Sequence, residues 1–367
     1  MNNQLVRVLV VDDSALMRKL IPQMIERDPE VQVVGTAMDG SFGLRKIEEL
    51  RPDVVTLDLE MPRMDGMEAL KQITRLYNVP VIVVSAHSTA GATATFKALN
   101  LGAFDFIPKP RDAAQGNLEQ ISKELVGKIK AAARTSMRSV RLAAAIDTQP
   151  ITRPPHKALK KQRSRANIVV AIGVSTGGPN ALQYMLPQLP DDFPAGILIV
   201  QHMPVGFTDA FARRLDECCS IDVKEAQSGD MILAGRALIC PGNRHLKIRR
   251  MPLGDVAVLS DEEHVSGHRP SADVLFRSVA SEFGPRAIGL IMTGMGDDGA
   301  AGLSALHQTG ALTIAQDEAS SVVWGMPKAA IERGAAERVL PLDSIANTLI
   351  AQCRAAEARS VRFGATS

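Results

Sequence analysis

A serine lies at the end of an apolar run in the stretch AIGVSTGGPNAL, residues 171–182. The run from Ile168 to Val174 is typical of a buried strand, and glycines follow Ser175 almost at once. Three interpretations compete: an ordinary strand-to-helix turn, a loop that binds phosphate, and a turn that exposes a nucleophile. A phosphate-binding loop of the P-loop type needs a lysine after its glycines, and none follows here. GVSTG instead fits the short G-x-S-x-G pattern of a serine nucleophile.

A serine nucleophile needs a base that accepts its proton, and histidine is the usual one. Of the seven histidines, His202 ends the apolar run GILIVQH, so we expect it at the same sheet edge as Ser175. His268, in SGHRPSADVLF, is the rival candidate. The glycine-rich turn TGMGDDG supplies Asp297 and Asp298, and either carboxylate could orient the imidazole. The same turn could instead hold a metal.

Carboxylates also follow two of the apolar runs in the N-terminal half. Asp12 and Asp13 come directly after the first run, and Asp58 follows the third. Ser85 follows the fourth run and Lys109 the fifth. Ligands of open parallel sheets collect at these strand ends, where neighbouring carboxylates share a cation such as Mg²⁺. An aspartate beside Mg²⁺ can accept a phosphoryl group, and a serine and a lysine would bind its oxygens. Chance explains any one of these residues better than it explains all five together.

Strand and helix signals alternate along the N-terminal half. Its apolar runs are Val6–Val11, Val31–Thr36, Val54–Leu57, Val79–Val84 and Phe104–Ile107. Helical patterns begin at Ser14, cover Ser41–Leu50 and cover Leu118–Ala133. Short apolar strands separated by helices predict a parallel sheet that is covered on both faces.

The same alternation resumes at Asn167 and predicts a second α/β domain, which we also expect to be a doubly wound parallel sheet. Its predicted strands are Ile168–Val174, Ile197–Gln201, Ala237–Cys240 and Ala287–Thr293. Helical patterns follow Pro179, Gly206 and Ala300. Between the halves, the basic, proline-containing stretch TQPITRPPHKALKKQRSR predicts a linker, either a solvated tether or a basic docking segment. The predicted limits are 1–125 for the first domain, 126–166 for a helix end and linker, and 167–355 for the second domain.

Composition narrows the classes of function. The chain has 367 residues, of which 46% are hydrophobic and 22% charged, so it can build two packed cores. A net charge of +2 argues against a strong nucleic-acid footprint. The start MNNQLVRVLVVDDS lacks signal-peptide features and no run of about 18 apolar residues exists, so we expect no membrane insertion. The four cysteines lack C-x-x-C spacing, and we expect them to be reduced.

Four segments of the N-terminal half resemble a two-component receiver domain: VLVVDDSALMR, DVVTLDLEMPRMDG, VIVVSA and GAFDFIPKP. The resemblance implies a flavodoxin-like (βα)5 fold in which Asp58 accepts a phosphoryl group with Mg²⁺ as cofactor. The Mg²⁺ ligands that it implies are Asp13, Asp58 and the Glu60 carbonyl, with Asp12 in support. The phosphate-binding and switch positions that it implies are Ser85, Phe106 and Lys109. Phe106 replaces the more frequent tyrosine and is equally well interpreted as a core residue.

Five segments of the C-terminal half resemble the catalytic domain of chemotaxis protein-glutamate methylesterases: IGVSTGGP, QHMPVGFTDAFARRL, GHRPSADVLF, TGMGDDGAAGL and QDEASSVVWGMPKAAI. The resemblance implies Ser175 as nucleophile, His202 as base and Asp298 as the orienting carboxylate. It also implies the Met295 N–H as an oxyanion donor, with Thr176 nearby. The order Ser, His, Asp along the chain differs from the Ser, Asp, His order of α/β-hydrolases, which indicates another scaffold with the same geometry.

The resemblance implies phosphorylation-activated hydrolysis of glutamate methyl esters, and deamidation of glutamines, on methyl-accepting chemoreceptors. It implies a chemotaxis histidine kinase as phosphodonor, and no cofactor for the esterase reaction. We expect a cytoplasmic monomer that is recruited to membrane chemoreceptor arrays and has no nucleic-acid partner. Two alternatives stay open: a response regulator whose second domain only binds a partner, and a small-molecule serine esterase.

Overall fold

A computed structural model describes residues 5–86, 88–110, 115–135 and 163–364. The chain separates into two compact units, Met1–Thr148 and Gln149–Ser367. Residues 136–162, which form most of the predicted linker, lie outside the described residues, and the predicted domain limits stay predictions. Among the helices of the described ranges, none has the length and apolar character needed to cross a membrane.

The first unit contains one five-stranded parallel sheet. Its strands are β1 Val6–Val11, β2 Val31–Ala37, β3 Val54–Asp58, β4 Val81–Ser85 and β5 Asp105–Pro108. Its helices are α1 Ala15–Ile25, α2 Gly40–Leu50, α3 Gly66–Leu76, α4 Thr89–Asn100 and α5 Gln115–Arg134. The strand order is β2-β1-β3-β4-β5, with every pair parallel, and α1 packs against α5 whereas α2 packs against α3. This is the flavodoxin-like order, so the predicted (βα)5 fold is confirmed.

Capping residues and one glycine fix the loops at the carboxyl ends of these strands. The Ser14 hydroxyl accepts a hydrogen bond from the Met17 N–H at the start of α1, and Asp65 accepts one from the Glu68 N–H at the start of α3. Gly66 lies so close to the end of β3 that an added Cβ would come within 2.0 Å of the Asp58 carbonyl oxygen. Only glycine therefore lets α3 begin directly beside the strand end that carries Asp58.

The second unit is built on a seven-stranded parallel sheet and a separate hairpin. The sheet strands are β6 Val169–Val174, β7 Gly196–Gln201, β8 Asp222–Glu225, β9 Arg236–Ile239, β12 Ala287–Ile291, β13 Leu312–Gln316 and β14 Arg338–Leu340. The antiparallel hairpin consists of β10 His245–Arg249 and β11 Val256–Ser260. The helices are α6 Gly178–Met185, α7 Thr208–Cys218, α8 Ala272–Glu282, α9 Ala300–Gln308, α10 Met326–Glu332 and α11 Leu342–Gly364. Short 3₁₀ turns cover Leu186–Gln188 and Gly284–Arg286.

The strand order of this sheet is β14-β13-β12-β6-β7-β9-β8, which confirms the predicted doubly wound architecture. The chain runs from β6 outward on one side, and β12 later pairs with β6 on the other side. The order therefore reverses beside β6, and a crevice for ligands is expected at the carboxyl ends of β6, β7 and β12. Ser175 directly follows β6 and His202 directly follows β7, so both lie at this edge.

The sequence prediction for this unit misses three sheet strands and the hairpin. β8 (DVKE) and β14 (RVL) are the two edge strands, and they are short and only partly buried. Edge strands face solvent on one side, so their sequences do not form the apolar runs that mark the central strands. β13 is buried but has only five residues, LTIAQ, and two of them are polar.

Candidate active site

The turn after β6 holds Ser175 against the neighbouring strand β12. The Ser175 N–H donates to the Thr293 carbonyl at 3.0 Å, and its own carbonyl accepts from the Gly178 N–H at 2.8 Å. Gly177 has φ +76°, a conformation that favours glycine, and α6 begins immediately afterwards. An added Cβ on Gly294 would come within 2.8 Å of Ser175 Cβ, so the glycine leaves room beside the serine. The strand, the turn and the helix start therefore fit the strand-to-helix turn of a nucleophile.

His202 follows β7 at the position that corresponds to Ser175 after β6. Val174 of β6 pairs with Gln201 of β7, so Ser175 and His202 follow paired residues on adjacent parallel strands. The buried Gln201 amide fixes both, because its Nε2 donates to the Ser175 carbonyl at 3.0 Å and to the His202 carbonyl at 3.1 Å. The His202 Nε2 lies 2.8 Å from Asp298 Oδ2, whereas Nδ1 is buried with no hydrogen-bond partner among the described residues.

Asp298 is completely buried at the side chain and is saturated with donors. Its Oδ2 accepts from His202 Nε2 and, at 2.7 Å, from the Ala272 N–H. Its Oδ1 accepts from the Ser271 hydroxyl at 2.6 Å and from the Asp273 N–H at 3.2 Å. Burial by itself would raise the pKa of this carboxyl, but the bond to His202 and the other donors lower it to about 2. An ionised carboxylate only accepts, so His202 Nε2 carries the proton and Nδ1 is free to act as a base.

The second acid of the tandem and the rival histidine are placed differently. The Asp297 side chain is 64% exposed and lies 3.5 Å from Arg333 Nη2, so it does not share the position of Asp298. The His268 ring stacks on the His202 ring, with centroids 4.0 Å apart and an angle of 5° between the planes. His268 therefore packs on the face of the predicted base.

The two residues predicted near the oxyanion lie on the loops that follow β6 and β12. Thr176 is buried, and its carbonyl accepts from the Thr293 hydroxyl at 2.9 Å. Met295 is half-buried, and its N–H has no acceptor among the described residues. An unused N–H beside the turn of Ser175 is the kind of donor that an oxyanion requires. The roles predicted for the residues of this site stay predictions; the residues are Ser175, Thr176, His202, Met295 and Asp298.

The first unit gathers carboxylates at the corresponding edge of its own sheet. Asp12, Asp13 and Asp58 offer oxygens that all lie within 4.8 Å of one another. Lys109 Nζ lies 2.6 Å from Asp58 Oδ2 and 3.6 Å from Asp12 Oδ2. The Glu60 N–H donates to Asp58 Oδ1 at 3.2 Å. The sequence-predicted acids and Lys109 are therefore brought together.

This acidic cluster fits a divalent cation. Asp12 is only 1% exposed, and its buried Oδ2 has no hydrogen-bond partner among the described residues. Burial, and then the charge of Asp58, raise the pKa of Asp12 to about 6 against the lowering effect of Lys109. Burial also raises the pKa of Asp58. Unsatisfied carboxylate oxygens that repel one another are the hard ligands that Mg²⁺ takes.

The predicted switch residues have partners on the helices that flank β4 and β5. The Ser85 hydroxyl donates to the Gly91 carbonyl at 3.2 Å and accepts from the Thr95 hydroxyl at 2.7 Å, so it is directed at α4. Phe106 is 3% exposed and packs edge-to-face on Phe96 with ring centroids 6.3 Å apart. Its position agrees with the core interpretation, and the switch role of both residues stays a prediction.

Comparison with known proteins follows the same division. Residues 170–349 match the CheB methylesterase family, and residues 8–119 match the response regulator receiver domain. The chain is 61% identical to protein-glutamate methylesterase/protein-glutamine glutaminase 2 of Koribacter versatilis, over 95% of this chain and 97% of that protein. It is 46% identical to the protein-glutamate methylesterase/protein-glutamine glutaminase of Pyrococcus horikoshii, over 94% of this chain and 93% of the relative.

The chain belongs to this methylesterase family. The crystal structure of the Thermotoga maritima CheB methylesterase catalytic domain is 39% identical, covers 50% of this chain and 98% of its own, and superimposes with a TM-score of 0.50. The N-terminal unit is accordingly the receiver domain, and the C-terminal unit is the methylesterase domain.

Three buried polar residues of this family member are absent from the prediction. Ser271 and His245 form hydrogen bonds behind Asp298, and Lys128 lies under Phe106, where its Nζ donates to the Phe106 carbonyl at 2.6 Å. GHRPSADVLF contains Ser271, and its Ser, Pro and Asp ahead of an apolar helix are a usable signal of a helix start. No pattern marks Lys128 or His245, because only tertiary contacts distinguish them from surface residues.

Proposed function

We propose that this chain hydrolyses glutamate methyl esters and deamidates glutamines on chemoreceptors, under the control of phosphorylation at Asp58. One observation carries the proposal: Asp298 holds Nε2 of His202, whose Nδ1 is buried without a partner among the described residues. A nitrogen of this kind is the base that the neighbouring Ser175 needs. Relatives with the same span are named for both activities, which supports the same two reactions here.

In the proposed first half of the reaction, the Ser175 hydroxyl attacks the ester carbonyl while His202 Nδ1 accepts its proton. The Nε2–H stays bonded to Asp298, whose negative charge stabilises the imidazolium that forms. The oxyanion accepts a hydrogen bond from the Met295 N–H, with Thr176 beside it. His202 then returns the proton to methoxide, and methanol leaves.

In the second half, water attacks the acyl-enzyme while His202 again acts as the base. His202 then returns this proton to the Ser175 oxygen as the acyl bond breaks, and the products are a glutamate carboxylic acid, which ionises to the carboxylate, and free Ser175. With glutamine as substrate the leaving group is ammonia, and the same steps give glutamate. Compared with the serine-protease arrangement, in which Nδ1 faces the carboxylate and Nε2 the serine, the imidazole is reversed. Either nitrogen can carry the proton, so the reversal leaves the chemical roles unchanged.

For the receiver domain we propose Asp58 as phosphoacceptor and a chemotaxis histidine kinase as phosphodonor. The residues that would hold Mg²⁺ are Asp12, Asp13, Asp58 and the Glu60 carbonyl. When bound, the cation supplies positive charge that offsets the crowded carboxylates and the phosphoryl group. Lys109 already bonds Asp58 and would bind phosphate oxygens. Ser85 would bind phosphate oxygens once its hydrogen bonds to Thr95 and Gly91 break. Phe106 is the second proposed switch residue.

We further propose that the protein acts as a cytoplasmic monomer on the helices of chemoreceptors and is recruited to their arrays. A net charge of +2 supports a protein partner rather than nucleic acid. Its proposed domains are residues 1–125 and 167–355, joined by the segment 126–166. No cofactor is proposed for the ester hydrolysis itself, since the mechanism above uses only side chains and the backbone.

Methanol release from methylated receptors, with and without a small phosphodonor, tests the proposal. Ser175→Ala is expected to lose on the order of 10⁴-fold or more in rate. The matched control is Ser278→Ala on α8, because the Ser278 hydroxyl bonds the Ile248 N–H of β10 and not the site. Retention of wild-type activity by Ser175→Ala would disprove the assignment. Faster turnover of short-chain esters than of receptor esters would favour a small-molecule esterase.

A further inference from the structure

A line of hydrogen bonds continues behind Asp298, away from His202. The Ser271 hydroxyl donates to Asp298 Oδ1 at 2.6 Å. The Ser271 N–H in turn lies 3.2 Å from His245 Nδ1, and His245 Nε2 lies 2.9 Å from the Glu263 carbonyl oxygen. Ser271 and His245 are both completely buried.

The chemistry of the partners fixes the direction of every bond in this line. The Glu263 carbonyl can only accept, so His245 Nε2 carries the hydrogen. His245 Nδ1 is then the unprotonated nitrogen of a neutral ring, and it accepts from the Ser271 N–H. The Ser271 hydroxyl is left to donate to the ionised Asp298. The side chain of His245 thus has one tautomer that satisfies both neighbours.

At the start of α8, the Ser271 side chain bonds the Asp298 carboxylate and does not cap the helix. Ser271 is the N-cap residue of α8, a position at which serine normally accepts a bond from the helix start. Its side chain makes no such bond. Asp298 replaces it there, because its two oxygens accept from the Ala272 and Asp273 N–H groups of the first turn. Because the Ser271 hydroxyl donates to Asp298 Oδ1 and makes no capping bond, it restrains the rotation of the Asp298 carboxylate.

The segment that carries Ser271 is itself anchored to the hairpin. Arg269 donates to the Asn243 side-chain oxygen through Nε at 2.9 Å and through Nη2 at 2.7 Å. Its Nη1 donates to the Asp261 and Glu262 carbonyls at 3.0 and 3.1 Å. These contacts join the residues before β10 to the loop after β11, so His245 and Ser271 are held from both sides.

We propose that Ser271 and His245 are positioning residues, which hold Asp298 in the rotation that presents Oδ2 to His202 Nε2. The proposal rests on the proposed function, because it assigns Asp298 a catalytic role. Without the Ser271 hydroxyl, the carboxylate keeps its backbone donors but loses its strongest restraint on Oδ1. The imidazole would then lose its fixed orientation toward Ser175, which lowers the rate of the chemical step and leaves substrate binding unchanged.

Steady-state methanol release from methylated receptors by the full-length protein tests the role of Ser271. Ser271→Ala is expected to lower kcat about 10- to 100-fold, the effect of a lost bond to a buried charge, with KM within about twofold. Ser278→Ala removes a hydroxyl from the same helix that bonds the same hairpin, and it is expected to keep wild-type kcat. Equal kcat values for Ser271→Ala and Ser278→Ala would overturn the proposal.

Two substitutions of His245 separate its two hydrogen bonds. The amide oxygen of His245→Asn can replace Nδ1 as acceptor for the Ser271 N–H, whereas the amide N–H₂ of His245→Gln can replace Nε2 as donor to Glu263. The acceptor is the bond that the proposal needs. We therefore expect His245→Asn to keep kcat within about fivefold and His245→Gln to lose about 10-fold or more. The reverse order would overturn the assignment of His245.

Nuclear magnetic resonance of the histidine N–H groups gives a readout that does not depend on turnover. The proton between His202 Nε2 and Asp298 should be protected from exchange in the wild type, in Ser175→Ala and in Ser278→Ala, and should broaden in Ser271→Ala. An unchanged signal in Ser271→Ala would overturn the positioning role. If Ser175→Ala kept full activity while the Ser271→Ala signal still broadened, the proposed function would fail and the positioning contact would stand.

Discussion

Each sheet edge holds a carboxyl that is almost completely buried, Asp12 in the receiver domain and Asp298 in the methylesterase domain. Both side chains lie beyond the carboxyl ends of parallel strands, and both residues are 1% exposed. The pKa of Asp12 is nevertheless raised to about 6, whereas that of Asp298 is lowered to about 2. Burial is therefore common to the two sites and does not decide how they titrate.

Their hydrogen-bond partners decide it. Asp298 has four donors, and each of its oxygens has two of them. Asp12 has a backbone donor from Ser14 on Oδ1, no hydrogen-bond partner among the described residues on Oδ2, and the negative charge of Asp58 beside it. Oxygens left without donors suit a site that takes up a cation, and saturated oxygens suit a site that fixes an imidazole. The two sheet edges therefore differ in one respect: the edge at Asp12 leaves a carboxylate oxygen without a donor, whereas the edge at Asp298 gives both oxygens two donors each.

Asp298→Asn is expected to produce the largest change, a loss of about 10⁴-fold in kcat for methyl-ester hydrolysis. An asparagine can present an N–H to His202 Nε2, which shifts the ring proton to Nδ1. The nitrogen that has to accept the Ser175 proton would then already carry one. Methanol release at saturating substrate measures the loss.

The neighbouring Asp297→Asn is the matched control. Asp297 is exposed, and its ion pair with Arg333 at 3.5 Å is a surface contact of little energetic weight. We expect its kcat to stay within about twofold of the wild type. Similar losses in the two variants would show that the saturated carboxylate has no special role, and the comparison with Asp12 would lose its meaning.

The sequence allowed most of the receiver site to be predicted, because its acids lie at the ends of two central apolar strands, β1 and β3. β1 has the predicted bounds Val6–Val11, and Asp12, Asp13 and Asp58 converge as expected. The direction of the Ser85 hydroxyl could not be predicted, since it depends on the Thr95 and Gly91 contacts of a helix whose packing no local pattern reveals.

The methylesterase site could be predicted only as far as its strand ends. Ser175 and His202 follow β6 and β7, and a parallel register brings such positions together. The choice between Asp297 and Asp298 was open in the sequence, because both lie on one irregular turn. Contacts with α8, 25 to 27 residues earlier in the chain, place Asp298 in the site. Long-range contacts of this kind carry no periodic signal.

Removing residues 1–140 is expected to raise the basal rate of ester hydrolysis. This deletion tests whether the receiver sheet edge and the methylesterase sheet edge are coupled. If the unphosphorylated receiver restrains the methylesterase domain, its loss relieves the restraint. Couplings of this type are typically about 5- to 150-fold. Methanol release by the truncated and intact proteins, both without phosphodonor, gives the ratio. Equal rates would contradict restraint by the receiver, and the two edges would then function independently.

Asp12→Asn is expected to have the smallest effect, a change in the stability of the receiver domain and not in the rate of ester hydrolysis. A carboxyl whose pKa rises on folding binds more protons when folded, so it makes the receiver less stable as pH rises from about 4 to about 6. The cost persists above pH 6 and is on the order of 2 to 3 kcal/mol for a shift of this size. The amide removes the charge, so Asp12→Asn should stabilise the Mg²⁺-free receiver at pH 7 by about that amount and should have no such effect at pH 3.5.

Urea unfolding of residues 1–135 with and without Mg²⁺ measures both parts of this expectation. Mg²⁺ should stabilise the wild type at pH 7.5 by about 2.7 kcal/mol at a concentration 100 times its dissociation constant, and much less at pH 5, where Asp12 is mostly protonated. Asp12→Asn should bind Mg²⁺ more weakly and show a smaller gain. The control is Asp53→Asn, because Asp53 is exposed and precedes β3 at the end of the strand opposite to Asp58; it should respond to Mg²⁺ as the wild type does. A destabilised Asp12→Asn protein without Mg²⁺ would mean that the carboxylate is already satisfied by Lys109, and the contrast with Asp298 would be wrong.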